Sequence, residues 1–437
     1  MKQITIIWAG AAGLMTAAIL LESSEEKDFH IHIFEKNKTP GNKIVISGGG
    51  RCNLTTGIED KKILLSKYTR GADFIKKAFG KFSPRKCRDW FESHGVPLKC
   101  EKDNRVFPVS DDWYDIVEVF EKVFAKYRNR VTLHYGEGVE SISILSSWTE
   151  WRIQELIETT GFFVNSEWRE QELKYQITTK KWIYNSDIVV ITTGWNAYSH
   201  TGSTGDGYAF ARSLWHTVTQ LGPSLSSFLT SEKWTHELSG LAFESAKIWE
   251  LQWPLLLTHF GISGPLAFMT SSRLAWETVD KNHPKIVHFS PVSTMGYMEW
   301  ESFLKEQFAN HPKKLIISIL TEKLPRRFAE AFVSEYFSHI ENTFPVSIAK
   351  LDREKISKLL GDGILLTLID RRPGDEFVTA GWVNTDEIDA ETMESRIQKD
   401  LYFAGEVLNV DGFTGWFSLQ ICWASGYVAG RDIVNKL

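Results

Sequence analysis

The sequence predicts an α/β fold, in which a doubly wound parallel sheet is interrupted by a β-rich insert and a small helical subdomain. A strand, a glycine turn, a helix and a second strand open the chain over residues 4–36. Short runs broken by Gly, Pro and Ser follow over residues 217–292, and helical periodicity over residues 299–360. Near the end a buried strand runs into Gly405 and Glu406. An acid directly after a late strand is typical of such a sheet, so both ends of the chain are expected to share one domain.

The opening unit has the pattern of a Rossmann-like dinucleotide-binding turn. Gly10 and Gly13 occupy the second and third glycine positions of G-x-G-x-x-G, where the backbone approaches a phosphate and the helix packs closely on the strand. The helix N-terminus supplies free N–H groups for that phosphate. Glu35 follows Gly13 by 22 residues, about the spacing of an acid that binds ribose hydroxyls. The alternative is a tight strand–helix corner with Glu35 as an ordinary exposed acid.

One residue departs from this pattern, because Trp8 stands where the first glycine of the turn belongs. That glycine makes the tight turn, and a Cβ there meets either the backbone or the pyrophosphate. An indole at this position is expected to have no room unless the loop opens.

Composition restricts the classes of protein that remain. The 437 residues carry a net charge of −5, so no basic field indicates nucleic acid. No apolar run approaches the length of a membrane helix, and no signal peptide is recognisable. Four scattered cysteines without a C-x-x-C pair favour a reducing cytoplasm and argue against a disulfide scaffold or a metal site. The 17 tryptophans outnumber the 12 tyrosines, which is unusual.

Four further segments contain candidate site residues. In residues 46–56 three consecutive glycines are flanked by the donors Lys43, Ser47, Arg51 and Asn53, which favours a close backbone approach to a ligand over a flexible loop. Residues 198–211 contain three glycines before a helix and predict either an anion site or a wall of the site. His259 lies among apolar residues and is either structural or catalytic. Glu406 and Asp411, in the C-terminal glycine-rich loop, are candidates for ribityl or ribose contacts. Cys52 is expected to pack, since no partner thiol is apparent.

The expected domains follow from these segments. They are an N-terminal part of the dinucleotide-binding domain (1–200), a β-rich insert (201–295), a helical subdomain (296–372) and the C-terminal part of the first domain (373–437).

Together the motifs "AGAAGL", "ISGGGRCNLT", "RVFPVSD", "TGSTGDGY", "LLLTHFGISGP", "TAGWV" and "LYFAGEVLNVDGFTGW" span the chain in order. They resemble the HI0933-like, or BaiN/YhiN-like, bacterial NAD(P)/FAD-dependent oxidoreductases, with which the aminoacetone oxidase-type FAD enzymes group. The resemblance implies a cytoplasmic enzyme that transfers hydride through FAD to or from a small organic substrate. NAD(P)H as donor and oxygen as acceptor both stay open. The alternatives are a flavin-dependent RNA-modifying enzyme, against which the negative charge argues, and an inactive scaffold.

The motifs and the resemblance also name the expected site. His259 and Arg105 are the catalytic candidates on the substrate side. Val139 is implied to meet the adenine through its backbone. The residues expected around FAD are Trp8, Gly10, Ala11, Ala12, Gly13, Glu35, Lys36, Lys43, Ser47, Gly49, Gly50, Arg51, Cys52, Asn53, Val139, Thr193, Gly194, Gly405, Glu406, Asp411, Gly412, Gly415 and Trp416.

Most departures from the family pattern are of one kind. At four positions where the family has glycine, this sequence has Trp8, Trp195, Trp382 and Trp416. At two more positions where glycine is expected, it has Trp215 and Trp253. Ser418, where the family tends to have Asn, is a departure of another kind. The codon UGA differs by one base from the glycine codon GGA, and some genetic codes read UGA as glycine. Our hypothesis is that such codons were translated as tryptophan. The chain as written is then expected to bind FAD poorly.

Overall fold

The computed structural model describes residues 1–23, 27–145, 174–195, 204–373 and 378–437. Residues 1–221 with 379–437 form one compact unit, and residues 222–378 form a second. The domain limits expected at 200/201, 295/296 and 372/373 stay predictions. Among the described residues, no helix is both long and apolar enough to cross a membrane.

The first unit alternates strands and helices along the chain. Its strands are β1 (Lys2–Ile7), β2 (Phe29–Glu35), β3 (Thr55–Thr56), β4 (Tyr68–Arg70), β5 (Leu98–Cys100), β6 (Arg105–Pro108), β7 (Val131–Tyr135), β8 (Val139–Ile144), β9 (Tyr175–Thr179), β10 (Ile183–Ser186), β11 (Ile188–Ile191), β20 (Leu401–Phe403) and β21 (Asp411–Gly412). Its helices are α1 (Ala11–Glu22), α2 (Asn42–Ile46), α3 (Lys61–Leu65), α4 (Ala72–Lys81), α5 (Pro84–Ser93), α6 (Tyr114–Lys126), α7 (Asp206–Ser213) and α14 (Gly415–Lys436).

A five-stranded sheet of order β20-β11-β1-β2-β7 forms the centre of this unit, and all its strand pairs are parallel. Strand β1 lies in the middle, and its residues Ile4, Ile6 and Ile7 are fully buried. Such continuous apolar strands are typical of a sheet covered on both faces. The predicted doubly wound fold is confirmed.

Helices α1 and α14 pack closely through small residues. A Cβ on Gly426 would lie 2.6 Å from the carbonyl oxygen of Ala12, and one on Gly430 would lie 3.0 Å from that of Thr16. The Thr16 hydroxyl also donates to the Gly426 carbonyl at 3.2 Å. These contacts hold the first two turns of α1 against the last helix.

The second unit contains a closed six-stranded barrel of order β13-β16-β15-β14-β17-β18. Its strands are β13 (Phe228–Thr230), β14 (Ala242–Ile248), β15 (Leu251–Thr258), β16 (Gly261–Ser263), β17 (Lys285–Ser290) and β18 (Ile364–Arg371). The short strands β12 (Gly222–Ser224) and β19 (Val378–Ala380) lie at the two limits of this unit. The helices are α8 (Lys233–Glu237), α9 (Pro265–Arg273), α10 (Tyr297–Asn310), α11 (Ile316–Leu320), α12 (Arg326–Phe337) and α13 (Lys350–Asp362).

Several elements differ locally from the sequence prediction. The helical segment 72–94 is two helices, because the Ser83 side chain accepts from the Lys86 N–H and Pro84 begins a new first turn. The last helix begins at Gly415 rather than near Ser418. Residues 148–173 of the expected meander, and Gly202 in the third glycine segment, lie outside the described residues.

Candidate functional site

A cavity lies where three neighbouring parallel strands end. Residues that follow β1, β11 and β20 line it, among them Gly10, Thr193 and Glu406. Strand β2, the next strand along the chain, pairs with one edge of β1, whereas β11 pairs with the other edge of β1. In doubly wound sheets ligands bind outside the carboxyl ends of the strands at such a reversal of strand order.

The sequence predicted nine of the residues that line this cavity and missed seven others. The nine are Trp8, Gly10, Ala11, Ala12, Glu35, Lys43, Thr193, Gly194 and Glu406. The seven are Ala9, Asn37, Gly41, Asn42, Thr192, Leu419 and Cys422. Asn37 could have been inferred from its position two residues after Glu35. Leu419 and Cys422 carry no such signal, since they come from a helix distant in sequence.

The N-terminus of α1 faces this space with free backbone groups. Gly10 is its N-cap, and in the described part of the chain no side chain makes a capping hydrogen bond to it. A Cβ on Gly10 would meet nothing within 4 Å, whereas one on Gly13 would lie 2.1 Å from the Trp8 carbonyl oxygen. Gly10 therefore borders open space and Gly13 allows the turn to close on the helix. Free N–H groups and the positive helix end favour an anion at this position.

Glu35 is buried at the end of β2 and fixes the turn. Its Oε2 accepts from the Ala9 N–H at 3.1 Å, and its Oε1 accepts from the Asn37 N–H at 2.9 Å. The Asn37 side-chain amide donates to the same Oε1 at 2.7 Å. Burial raises the pKa of Glu35, and these hydrogen bonds oppose the shift.

An ion pair borders another part of the cavity. The Lys43 ammonium lies 3.0 Å from Glu406 Oε2, although the two residues are far apart in sequence. Gly194, whose φ is +67°, lies next to this pair, and a Cβ there would lie 3.2 Å from Lys43 Nζ. The pair joins the segment after β2 to the segment after β20.

One indole lines this cavity and a second lies beside its Lys43. Trp8 has a φ of +85° and is only 6% exposed, and its ring lines the cavity beneath Lys36. Trp195 is 3% exposed, and its indole N–H has no partner among the described residues. The free volume of the cavity is about 60 Å³, which is room for a few water molecules. The N-terminus of α1 and the acid Glu35 are placed as a dinucleotide site requires. The cavity, however, is too small for a dinucleotide while Trp8 lies in it.

Buried hydroxyls without a partner lie at the same end of the sheet. Within the described residues, Thr193 Oγ1, Thr414 Oγ1 and Ser418 Oγ are buried and make no hydrogen bond. Thr414 and Ser418 belong to the first turn of α14, where a Cβ on Gly415 would meet open space. Buried polar atoms are rarely left unpaired, so these atoms favour a polar ligand.

Two other residues predicted to contact the cofactor, Arg51 and Asp411, form ion pairs with other side chains. Arg51 Nη1 lies 2.9 Å from Glu101 and 3.2 Å from Asp111, with its guanidinium 3.9 Å from the centre of the Phe107 ring. Asp411 pairs with Arg70, whose Nε lies 2.6 Å from Asp411 Oδ1. These ion pairs explain the positions of the Arg51 and Asp411 side chains without a bound ligand.

The remaining predictions are placed as follows. Ser47 and Gly49 belong to a short 3-10 turn, Gly50 and Cys52 have positive φ, and Asn53 is buried. Burial raises the pKa of the Cys52 thiol to about 12.

Val139 and Lys36 line a second cavity, of about 600 Å³. Gly405 and Gly412 make close contacts, since a Cβ there would lie 2.7 Å from Ala12 Cβ and 2.5 Å from Phe417 Cβ respectively. Trp416 is half-buried in α14.

The two catalytic candidates belong to different units. Arg105 pairs with Glu101 and Asp103 in the first unit. His259 is exposed in the turn between β15 and β16 of the second. Among the described residues no group of three or more His, Cys, Asp or Glu side chains could hold a metal ion.

Known proteins resemble the whole chain. The relatives include a 3-dehydro-bile acid delta(4,6)-reductase of Clostridium scindens, 27% identical over 100% of both chains. A ribosomal RNA dihydrouridine synthase of Escherichia coli is 25% identical over 98% of this chain and 97% of its own. Its namesake from Haemophilus influenzae is 24% identical over 99% and 98%. The reductase confirms the oxidoreductase class expected from the sequence. The family model for the HI0933-like protein Rossmann domain matches residues 2–432, and the chain therefore belongs to the HI0933-like family.

Proposed function

We propose that this protein is an FAD-dependent oxidoreductase whose cofactor site is the cavity at the N-terminus of α1. The observation that carries the proposal is the position of that cavity. It lies outside the carboxyl ends of β1 and β11, with an uncapped helix end on one side and the buried acid Glu35 on another. This combination is typical of dinucleotide sites in doubly wound folds.

Residues of this chain supply contacts suited to the separate parts of a dinucleotide. The backbone N–H groups of the first turn of α1 suit a pyrophosphate. Glu35 suits ribose hydroxyls, and the second cavity, lined by Val139 and Lys36, suits the adenine side. The unpaired hydroxyls of Thr193, Thr414 and Ser418 suit polar groups of the remaining part. When bound, FAD would supply the hydride chemistry.

The indole of Trp8 must leave the cavity before any dinucleotide can enter. Replacing Trp8 by glycine removes the indole that lines the cavity and suits the positive φ of this position. The proposed activity therefore belongs to a chain with glycine at position 8. With tryptophan there, the protein keeps the fold and binds the cofactor poorly.

We propose a small organic molecule as the substrate, with reduction as the direction of the reaction and NAD(P)H as the donor. The name of the bile acid reductase, which matches this chain over its full length, supports that direction. His259 and Arg105 stay the candidates for substrate contact, with Arg105 held by ion pairs to Glu101 and Asp103, and the fully buried Cys52 is less suited.

A second candidate is reduction of a base in ribosomal RNA. Two relatives that match almost the whole chain carry the name ribosomal RNA dihydrouridine synthase. Against it stands the net charge of −5, since RNA-binding proteins usually carry a basic face.

The test uses the Trp8→Gly, Trp195→Gly, Trp382→Gly, Trp416→Gly variant reconstituted with FAD. Flavin absorbance is followed during anaerobic mixing with NADH or NADPH, and then on addition of an unsaturated bile acid or of ribosomal RNA. Reoxidation by the small molecule alone supports the first candidate, and reoxidation by RNA alone supports the second. A variant that folds but takes up no flavin would refute both.

A further inference from the structure

We infer that the natural polypeptide carries glycine at positions 8, 215 and 249, where the sequence has tryptophan. The inference rests on backbone geometry at three unrelated turns and does not depend on the cofactor. Position 249 belongs to no motif of the family pattern described above.

Trp215 ends a helix at the position that glycine normally occupies. Helix α7 ends at Ser213 with Leu214 as its C-cap, and Trp215 follows with a φ of +69°. The Trp215 N–H donates to the Arg212 carbonyl at 3.0 Å, and the His216 N–H donates to the Ala211 carbonyl at 2.9 Å. These two bonds define a Schellman motif, whose left-handed residue is usually glycine. The indole is 73% exposed, so no packing compensates for the strain.

Trp249 lies in a two-residue hairpin loop. Ile248 pairs with Leu251 across β14 and β15, so Trp249 and Glu250 alone form the loop. Trp249 has a φ of +53°, and Glu250 has no positive φ. A hairpin loop with a positive φ only at its first central residue corresponds to a type II′ turn, which requires glycine there.

The third residue is Trp8, at the first glycine of the phosphate-binding turn, with a φ of +85°. In the described part of the chain nine non-glycine residues have a positive φ, and three of them are tryptophan. Tryptophan accounts for only 17 of the 437 residues. A bulky side chain in this region costs free energy, so chance placement of three indoles there is a poor explanation.

Other tryptophans have the surroundings of genuine ones. Trp423 is fully buried in α14, and its indole N–H donates to the Leu54 carbonyl at 3.0 Å. Its ring stacks on Phe120 with centroids 5.9 Å apart. Glycine at this position would leave a large cavity. Position 423 is therefore expected to carry tryptophan in the natural polypeptide, in contrast to the strained positions 215 and 249.

The decisive experiment is peptide mapping by mass spectrometry of the protein purified from its own organism. We expect glycine at positions 215 and 249 and tryptophan at position 423. Tryptophan at either 215 or 249 would overturn the inference, and so would glycine at 423.

A second measurement tests the geometry in the protein as written. Trp215→Gly and Trp249→Gly should each raise the thermal unfolding midpoint by about 2–4 °C, because glycine relieves the left-handed backbone. Trp215→Ala and Trp249→Ala remove the same indoles but keep a Cβ, so they are the matched controls. A glycine variant that is no more stable than its alanine counterpart contradicts the assignment.

Discussion

The ammonium nitrogen of Lys36 lies 4.0 Å from the centre of the Trp8 ring. It also lies 2.9 Å from Asp206 Oδ2 at the start of α7. A cation over an indole is attracted by about 0.5–2 kcal/mol, depending on how far it is desolvated. Lys36, the residue after Glu35, thus contacts the indole that lines the cavity and an acid at the start of α7.

Removing the Trp8 indole should therefore restore cofactor binding. We expect Trp8→Gly to bind FAD about 5- to 150-fold more tightly than the protein with Trp8, since a clash of about 1–3 kcal/mol is removed. The measurement is flavin absorbance per protein after reconstitution and gel filtration. The exposed Trp276, which does not line the cavity, supplies the control Trp276→Gly. Equal flavin content in the protein with Trp8 and in the Trp8→Gly variant would contradict the prediction.

Glu35 is expected to matter even without a cofactor. Glu35→Ala removes the acceptor of the buried Ala9 N–H and of the half-buried Asn37 N–H, at a cost of about 1–3 kcal/mol in the free energy of unfolding. In the Trp8→Gly background it should also weaken FAD binding by about tenfold or more. Urea unfolding without FAD and a flavin titration separate the two effects. Loss of stability with unchanged affinity would show that Glu35 only shapes the turn.

The sequence sufficed for local features of the site and not for distant ones. The strand, turn, helix and acid of residues 2–35 are contiguous, so periodicity and spacing predicted them. The Lys43–Glu406 pair spans 363 positions, and no local pattern links its members. Asp411 was predicted to contact a cofactor because a carboxylate in a glycine-rich loop resembles a ribose ligand. Its partner Arg70 is visible only after β4 and β21 pair.

The Arg70–Asp411 pair leads to a prediction about stability. The two side chains are only 10% and 4% exposed, so removing one leaves a buried, uncompensated charge. Asp411→Ala and Arg70→Ala should each lower the free energy of unfolding by about 3–5 kcal/mol. The double variant Arg70→Leu, Asp411→Leu should lose less than the sum of the single variants. Denaturant unfolding measures all three, and additive losses would show that the pair is not coupled.

The cysteines should differ sharply in reactivity. Cys52 is fully buried and burial raises its pKa to about 12, whereas Cys100 is exposed. Because the thiolate is the reactive form, iodoacetamide at mildly alkaline pH should label Cys100 and leave Cys52 unlabelled in the folded protein. Peptide mass spectrometry reads the label, and unfolding in guanidinium should make both react. Early labelling of Cys52 would indicate that the glycine-rich turn opens in solution.

His32 should make the fold sensitive to mild acid. Its Nδ1 lies 3.0 Å from His134 Nε2, and its Nε2 lies 3.2 Å from Gln3 Oε1. Burial, followed by the neighbouring charges of His30 and His134, lowers the pKa of His32 from 6.5 to about 4. The unfolded chain therefore binds this proton more readily than the folded chain. The stabilisation is complete above about pH 6.5 and is lost as the pH falls towards about 4.

Replacing His32 tests this sign directly. His32→Gln keeps a polar side chain beside Gln3 but removes the titration, so its unfolding midpoint should fall less than that of the parent between about pH 7 and about pH 5. The exposed His311 supplies the control His311→Gln, which should follow the parent. His30 and His134 also have pKa values lowered mainly by burial, so His32→Gln should keep part of the acid sensitivity. If His32→Gln and its parent lose the same stability over this range, His32 titrates in the folded protein as it does in the unfolded chain, and another group sets the acid limit.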